Sequence, residues 1–188
     1  MIGLRSGELG VGILRRFVHG VDTFNEWVGR VVAWLTLSCV LTCFAVVVLR
    51  YGLNVGFPWL QELYVWQHAV VFLLGAGYTF LHRGHVNVDI FYGQMSARRK
   101  AWLDIFGTLF FLFPWLALVA YVSAPFIISS WAIGEPSSTA NGMPALYLLK
   151  SSLWAFCLVV FVQGLALLIR RIAFLAGHEI SSEIVSNS

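Results

Sequence analysis

An all-α integral membrane protein, with four membrane-crossing helices preceded by an amino-terminal amphipathic helix lying on the membrane surface, is the architecture this sequence predicts. Three observations carry the prediction. Of the 188 residues, 59% are hydrophobic and only 11% are charged, with a mean hydropathy of +0.81, a composition that a water-soluble domain does not tolerate. Four stretches lack Asp, Glu, Lys and Arg: Val31 to Leu49, Leu63 to His82, Ile105 to Gly134 and Ser151 to Ile169. Each is close to or above the roughly 20 helical residues that cross a hydrocarbon core. The cations, finally, are distributed unevenly about these stretches.

In chain order, residues 1–26 form a cytoplasmic arm. There Glu8, Arg15, Arg16, His19, Asp22 and Glu26 alternate with Leu9, Ile13, Leu14, Phe17, Val21 and Phe24 at near-helical spacing, the pattern of an interfacial amphipathic helix. Gly10, Gly12 and Gly20 weaken that helix, so a loose basic arm is the alternative. Residues 27–171 form the membrane domain, with spans at about 27–49, 62–82, 103–131 and 148–170. The third stretch outruns a ~30 Å core and has to tilt, bend or project, with Pro114 and Pro125 as bend points. Residues 172–188 form a Ser- and Glu-rich cytoplasmic tail. The short turn at Arg50 to Gln61 and the longer one at Trp131 to Lys150 join spans on the outer side, the latter too short for a folded domain.

Arg5, Arg15, Arg16, Arg30, Arg83, Arg98, Arg99, Lys100, Arg170 and Arg171 lie on one side of this layout, while only Arg50 and Lys150 lie on the other. Cytoplasmic loops retain Lys and Arg, so both termini and the middle loop are expected in the cytoplasm of a bacterial inner-membrane protein. The net charge of +3 then reports topology and implies no nucleic-acid partner. Cys39, Cys43 and Cys157 all fall within spans, where a thiol packs as a small apolar group.

The chemistry that these residues support is limited. A carrier needs intramembrane charges or unwound helices at a midplane site, and the spans offer only Gln67, His68, Gln163 and scattered hydroxyls, which suit interhelical hydrogen bonds. A membrane-anchor subunit of a respiratory oxidoreductase, cytochrome b-like, is the alternative. It needs paired histidines for haem, yet His68 alone lies clearly inside a span. No phosphate loop, metal-spaced cluster or nucleophile arrangement is present, so neither an enzymatic activity nor a cofactor is expected of this chain.

The most specific segment runs from Pro58 to Asp89. It reads Pro58-Trp59-x-x-Glu62-Leu63, then Gly75-Ala76-Gly77, then Arg83-Gly84-His85-Val86-x-Val88-Asp89. Glu62 opens the helix at the positive end of its macrodipole, and Gly84 stands as a carboxy-terminal cap. In order and spacing this pattern, with four spans around it, resembles the small membrane subunit of tripartite ATP-independent periplasmic (TRAP) transporters. The resemblance implies a non-catalytic subunit that braces a large multi-span elevator subunit. In such systems the large subunit carries substrate and sodium, and a periplasmic substrate-binding protein delivers an organic acid such as a C4-dicarboxylate or 2-oxo acid. The implied partners are therefore those two proteins and membrane lipids, including a structural phospholipid. Trp59, Glu62, Gly75, Ala76, Arg83, His85 and Asp89 are the candidate assembly residues. The small residues serve either a partner helix or internal packing, and Arg83 either orders the cytoplasmic exit or snorkels to lipid phosphate. Arg50, Glu135 and Lys150 are the candidate contacts for the periplasmic protein.

Overall fold

The computed structural model describes residues 3–82, 84 and 92–178, with side-chain surroundings from residue 12 onward. The described residues form four long helices: α1 (Gly3–Gly52), α2 (Pro58–Leu81), α3 (Ala97–Ile133) and α4 (Leu146–Leu175). The chain is an all-helical membrane protein. Three of its helices, Gly12–Gly52 within α1, all of α3 and all of α4, are long and apolar enough to cross a bilayer. The 24-residue α2 carries Gln61, Glu62, Gln67 and His68 in its first half, which lowers its hydropathy.

Helix α1 runs unbroken for 50 residues, roughly 75 Å at 1.5 Å per residue. The boundary expected near residue 26 leaves no mark on it. The physical reason is a continuous buried stripe, Val18, Val21, Asp22, Asn25, Val28 and Val32, which repeats every three to four residues and so stays on one helix face. Facing that stripe, α4 packs Val162, Ala166, Ile169 and Ala173 around Val18 and Val21. The arm is thus continuous with the rest of α1 and packed along one face on its own chain. Asp22 and Asn25 point inward, while Ile13, Phe17 and Phe24 are exposed.

Helix α2 starts with Pro58, whose missing N–H would have had no intrahelical acceptor anyway. At its far end the Gly84 N–H reaches back to the Thr79 carbonyl at 2.8 Å, the long closing bond of a Schellman cap. Helix α3 contains a π-helical turn, Thr108–Leu112, between α-helical Ala97–Gly107 and Phe113–Ile133. Pro114 follows immediately and cannot donate to the ladder, and one widened turn accommodates that loss. Pro125 remains inside the helix. Gly134, at φ +60°, ends α3 in the left-handed conformation that favours glycine, while the Glu135 N–H returns to Ser130 O at 3.0 Å.

Helix α4 is the hub. It packs against α1, α2 and both halves of α3, and its buried residues include Cys157, Val159, Val160, Gln163, Gly164, Ala166 and Leu168. Leu116 of α3 joins Cys157 and Val160 in a core that Ala76, Leu112 and Phe113 extend. Outside this core Trp34, Phe44, Phe110 and Tyr121 are largely exposed, an apolar exterior suited to lipid tails.

Candidate assembly site

The polar side chains gather at the two ends of the helix group. One, the loop end, carries the 52–58 and 134–145 connections. The other, the arginine end, carries Arg170 and Arg171.

At the loop end Glu62 lies in the first turns of α2 and reaches across to the connection between α3 and α4. Its Oε1 accepts from Ser137 Oγ at 2.5 Å, and its Oε2 accepts from the Met143 backbone N–H at 2.7 Å. A Cβ on Gly142 would lie 2.7 Å from Glu62 Oε2, so glycine there lets the carboxylate sit against the loop. A charged acceptor serving two donors is stronger than a neutral one, which makes Glu62 the fastener of the 134–145 loop. Within that loop Ser137 N–H donates to Met143 O at 3.0 Å and Leu146 N–H to Glu135 O at 2.9 Å, closing it on itself. Lys150 Nζ donates to Glu135 Oε2 and lies 3.9 Å from the Phe126 ring centre. That ammonium holds the Glu135 carboxyl below its ordinary range. Two of the three candidate contacts for a periplasmic protein are therefore paired with each other. The third, Arg50, is exposed beside a shallow depression that it lines with Tyr51, Asn54 and Gln61. Trp59 is 44% exposed and lies 6.2 Å from the ring of Phe57.

At the arginine end α4 is tied to α1 and α3 by carboxylates. Arg170 Nη2 donates to both oxygens of Asp22, which is 1% exposed. Gln163 extends the network, accepting from Asn25 Nδ2 at 2.7 Å and donating to Asp22 Oδ1 at 3.4 Å. Arg171 Nη2 meets Asp104 Oδ2 of α3 at 2.7 Å, and Tyr92 OH donates to the same carboxylate at 3.1 Å. His82, just past α2, bonds Glu26 of α1 at 2.9 Å and packs on Tyr78 with 4.3 Å between ring centres. Consecutive arginines on α4 thus fasten two different helices, because residues one apart point about 100° away from each other.

The small residues of α2 sit between these ends and pack inward. A Cβ on Gly77 would come within 2.1 Å of Val159 Cγ1 and 2.4 Å of Asn25 Oδ1. Asn25 Oδ1 has no hydrogen-bond donor among the described residues. At Gly75 a Cβ would meet only Val32, at 3.6 Å, and Ala76 joins the α3–α4 core. All three glycine-segment contacts are made within this chain. Farther toward the loop end, Gln67 Nε2 donates to Ser38 Oγ at 2.9 Å and Cys39 Sγ to Tyr64 O at 3.4 Å, joining α1 to α2. His68 is exposed.

Arg83, His85 and Asp89, the other candidate assembly residues, lie outside the described residues. Asp22, Glu26, His82, Asp104, Arg170 and Arg171 were not among the candidates. A signal for part of them did exist: Asp104, Arg170 and Arg171 directly flank charge-free stretches and His82 ends one, at the depth where opposite charges on neighbouring helices meet.

A protein-family model described as the DctQ component of tripartite ATP-independent periplasmic transporters matches residues 39–174. No curated protein and no solved structure matches the chain.

Proposed function

The chain belongs to the DctQ component family of tripartite ATP-independent periplasmic transporters, and we propose on that premise that it is the non-catalytic small permease subunit of a sodium-coupled importer of an organic acid. Its task is to brace the large elevator-type subunit, which carries substrate and sodium. A periplasmic binding protein delivers the acid, in the class of C4-dicarboxylates and 2-oxo acids. The protein sits in the bacterial inner membrane with both termini and the arginine end in the cytoplasm, and with the loop end in the periplasm.

One observation carries the bracing role: α4 is bound to α1 and α3 through Asp22–Arg170 and Asp104–Arg171 at one end, while Glu62 fastens the α3–α4 loop to α2 at the other. A helix group pinned at both ends resists shear, the property required of a support beside a moving subunit. Arg50 and the Glu62-fastened loop form the surface offered to the binding protein. Affinity purification of this chain from cells that also express the large subunit tests the reading. The two proteins should elute as one complex, and recovery of this chain alone under mild detergent would count against it.

A further inference from the structure

The exposed part of α1 divides into three faces. At about 100° per residue, Val18, Val21, Asp22 and Asn25 occupy the face packed on the rest of the chain. A second face carries Arg15, Arg16, His19 and Thr23, all exposed. The third carries Ile13, Phe17 and Phe24, exposed by 69, 44 and 49%, and continues without interruption into Trp27, Val31 and Trp34 farther along the helix. The apolar face of the arm is therefore the extension of the face that the spanning part of α1 turns outward.

We propose that this face of the arm, Ile13 to Phe24, lies in the inner leaflet of the membrane, with Arg15 and Arg16 held by the headgroups of anionic phospholipids. The proposal rests on the orientation given above. Depth supports it: Asp22 meets Arg170 at the point where α4 leaves its charge-free stretch. Phe17 is five residues further on, roughly 8 Å along a helix axis, which is about the thickness of the headgroup zone on one side of the bilayer, and Ile13 lies one turn beyond it. Charge supports it as well. Arg15 and Arg16 have no carboxylate partner among the described residues, and the cytoplasmic leaflet is the anionic surface within their reach. A protein partner would need to cover a narrow strip beside two unpaired cations, whereas a lipid surface fits both the strip and the charges.

The test uses the full chain co-expressed with its large subunit, in nanodiscs containing phosphatidylglycerol, with Cys39→Ser, Cys43→Ser and Cys157→Ala as background. Spin labels are placed by Phe17→Cys, Phe24→Cys and, on the polar face, His19→Cys. The label at 17 or 24 should collide with oxygen more than with a water-soluble nickel chelate, and the label at 19 should show the reverse. Arg15→Gln with Arg16→Gln should lower the enrichment of phosphatidylglycerol over phosphatidylcholine in the lipid shell by roughly fivefold per arginine. Nickel access at 17 and 24 equal to that at 19 would overturn the proposal. So would labels shielded from both reagents, which would mean that protein covers the face. Reaction of the cysteine at 19 with an impermeant maleimide in intact spheroplasts would overturn the orientation, and with it the inner-leaflet contact.

Discussion

Replacing Asp22 with alanine removes the carboxylate that both α1 and α4 are built around. In the native chain its two oxygens accept from Arg170 Nη2, and the side chains are 2% and 17% exposed respectively. At an effective dielectric near 20, unit charges at contact attract by about 4 kcal/mol, most of it offset by the cost of desolvating both groups. Removal of one partner is costlier than the pair is worth, because the other charge stays buried; about 3 to 5 kcal/mol is typical. Arg170 retains some exposure and a long stem, so its head can partly reach water, which places the expected loss near 3 kcal/mol, the low end. For a chain of this size that is a fall in melting temperature of about 6 to 12 °C. Intrinsic tryptophan fluorescence during heating in detergent reads it directly, as the chain has 8 Trp residues. Asp22→Leu combined with Arg170→Met should recover most of the loss, since an apolar pair of similar volume is often neutral. A shift of under 1 °C in Asp22→Ala, or a double variant no better than the worse single one, would refute the reasoning.

At Gly77 the Val159 methyl and the Asn25 amide leave no room for a Cβ, so Gly77→Ala should cost about 1 to 3 kcal/mol, whereas Gly75→Ala should be neutral or mildly stabilising through helix propensity; the same melting assay separates them. Glu62→Ala should release the 134–145 loop, seen as faster hydrogen exchange at the Met143 amide, with a stability loss of about 1 to 3 kcal/mol for the donors left behind. Because Lys150 lowers the Glu135 carboxyl, that pair stabilises fully above the ordinary carboxylate value of about 4.3. Its contribution disappears as pH falls through the lower, folded-state value. Lys150→Met should therefore flatten the acid limb of melting temperature against pH while leaving the slope between pH 6 and 7 unchanged.

The helices and turns were legible because charge-free stretches and Gly or Pro punctuation depend on local chemistry. Glycine at 134 and proline at 58 mark real helix ends for the backbone reasons that any sequence displays. The disposition of α1 was not legible in the same way. Amphipathic periodicity shows that two faces differ, and in water the apolar face goes inward; beside lipid an apolar face is equally content outward, so Phe17 and Phe24 face out while Asp22 and Asn25 face in. The boundary placed at residue 26 marked the end of the amphipathic alternation, and such a change of pattern does not interrupt a helix that has no proline before Pro58 and one continuous buried stripe. Pairings such as Asp22 with Arg170 span 148 positions, and nothing local specifies them. Glu62 was visible as a helix-opening carboxylate, but its acceptors' partners, Ser137 and Met143, lie on a loop that only tertiary packing brings near. The π-helical turn ahead of Pro114 is a backbone adjustment whose position a sequence period cannot show.

Sodium-driven uptake by proteoliposomes tests the central claim most directly, using vesicles that hold this chain alone, the large subunit alone, or both, each with the acid-loaded binding protein outside. Uptake should appear only with both membrane subunits present and should vanish when the sodium gradient is collapsed. Uptake by this chain alone, or full uptake by the large subunit without it, would contradict the account.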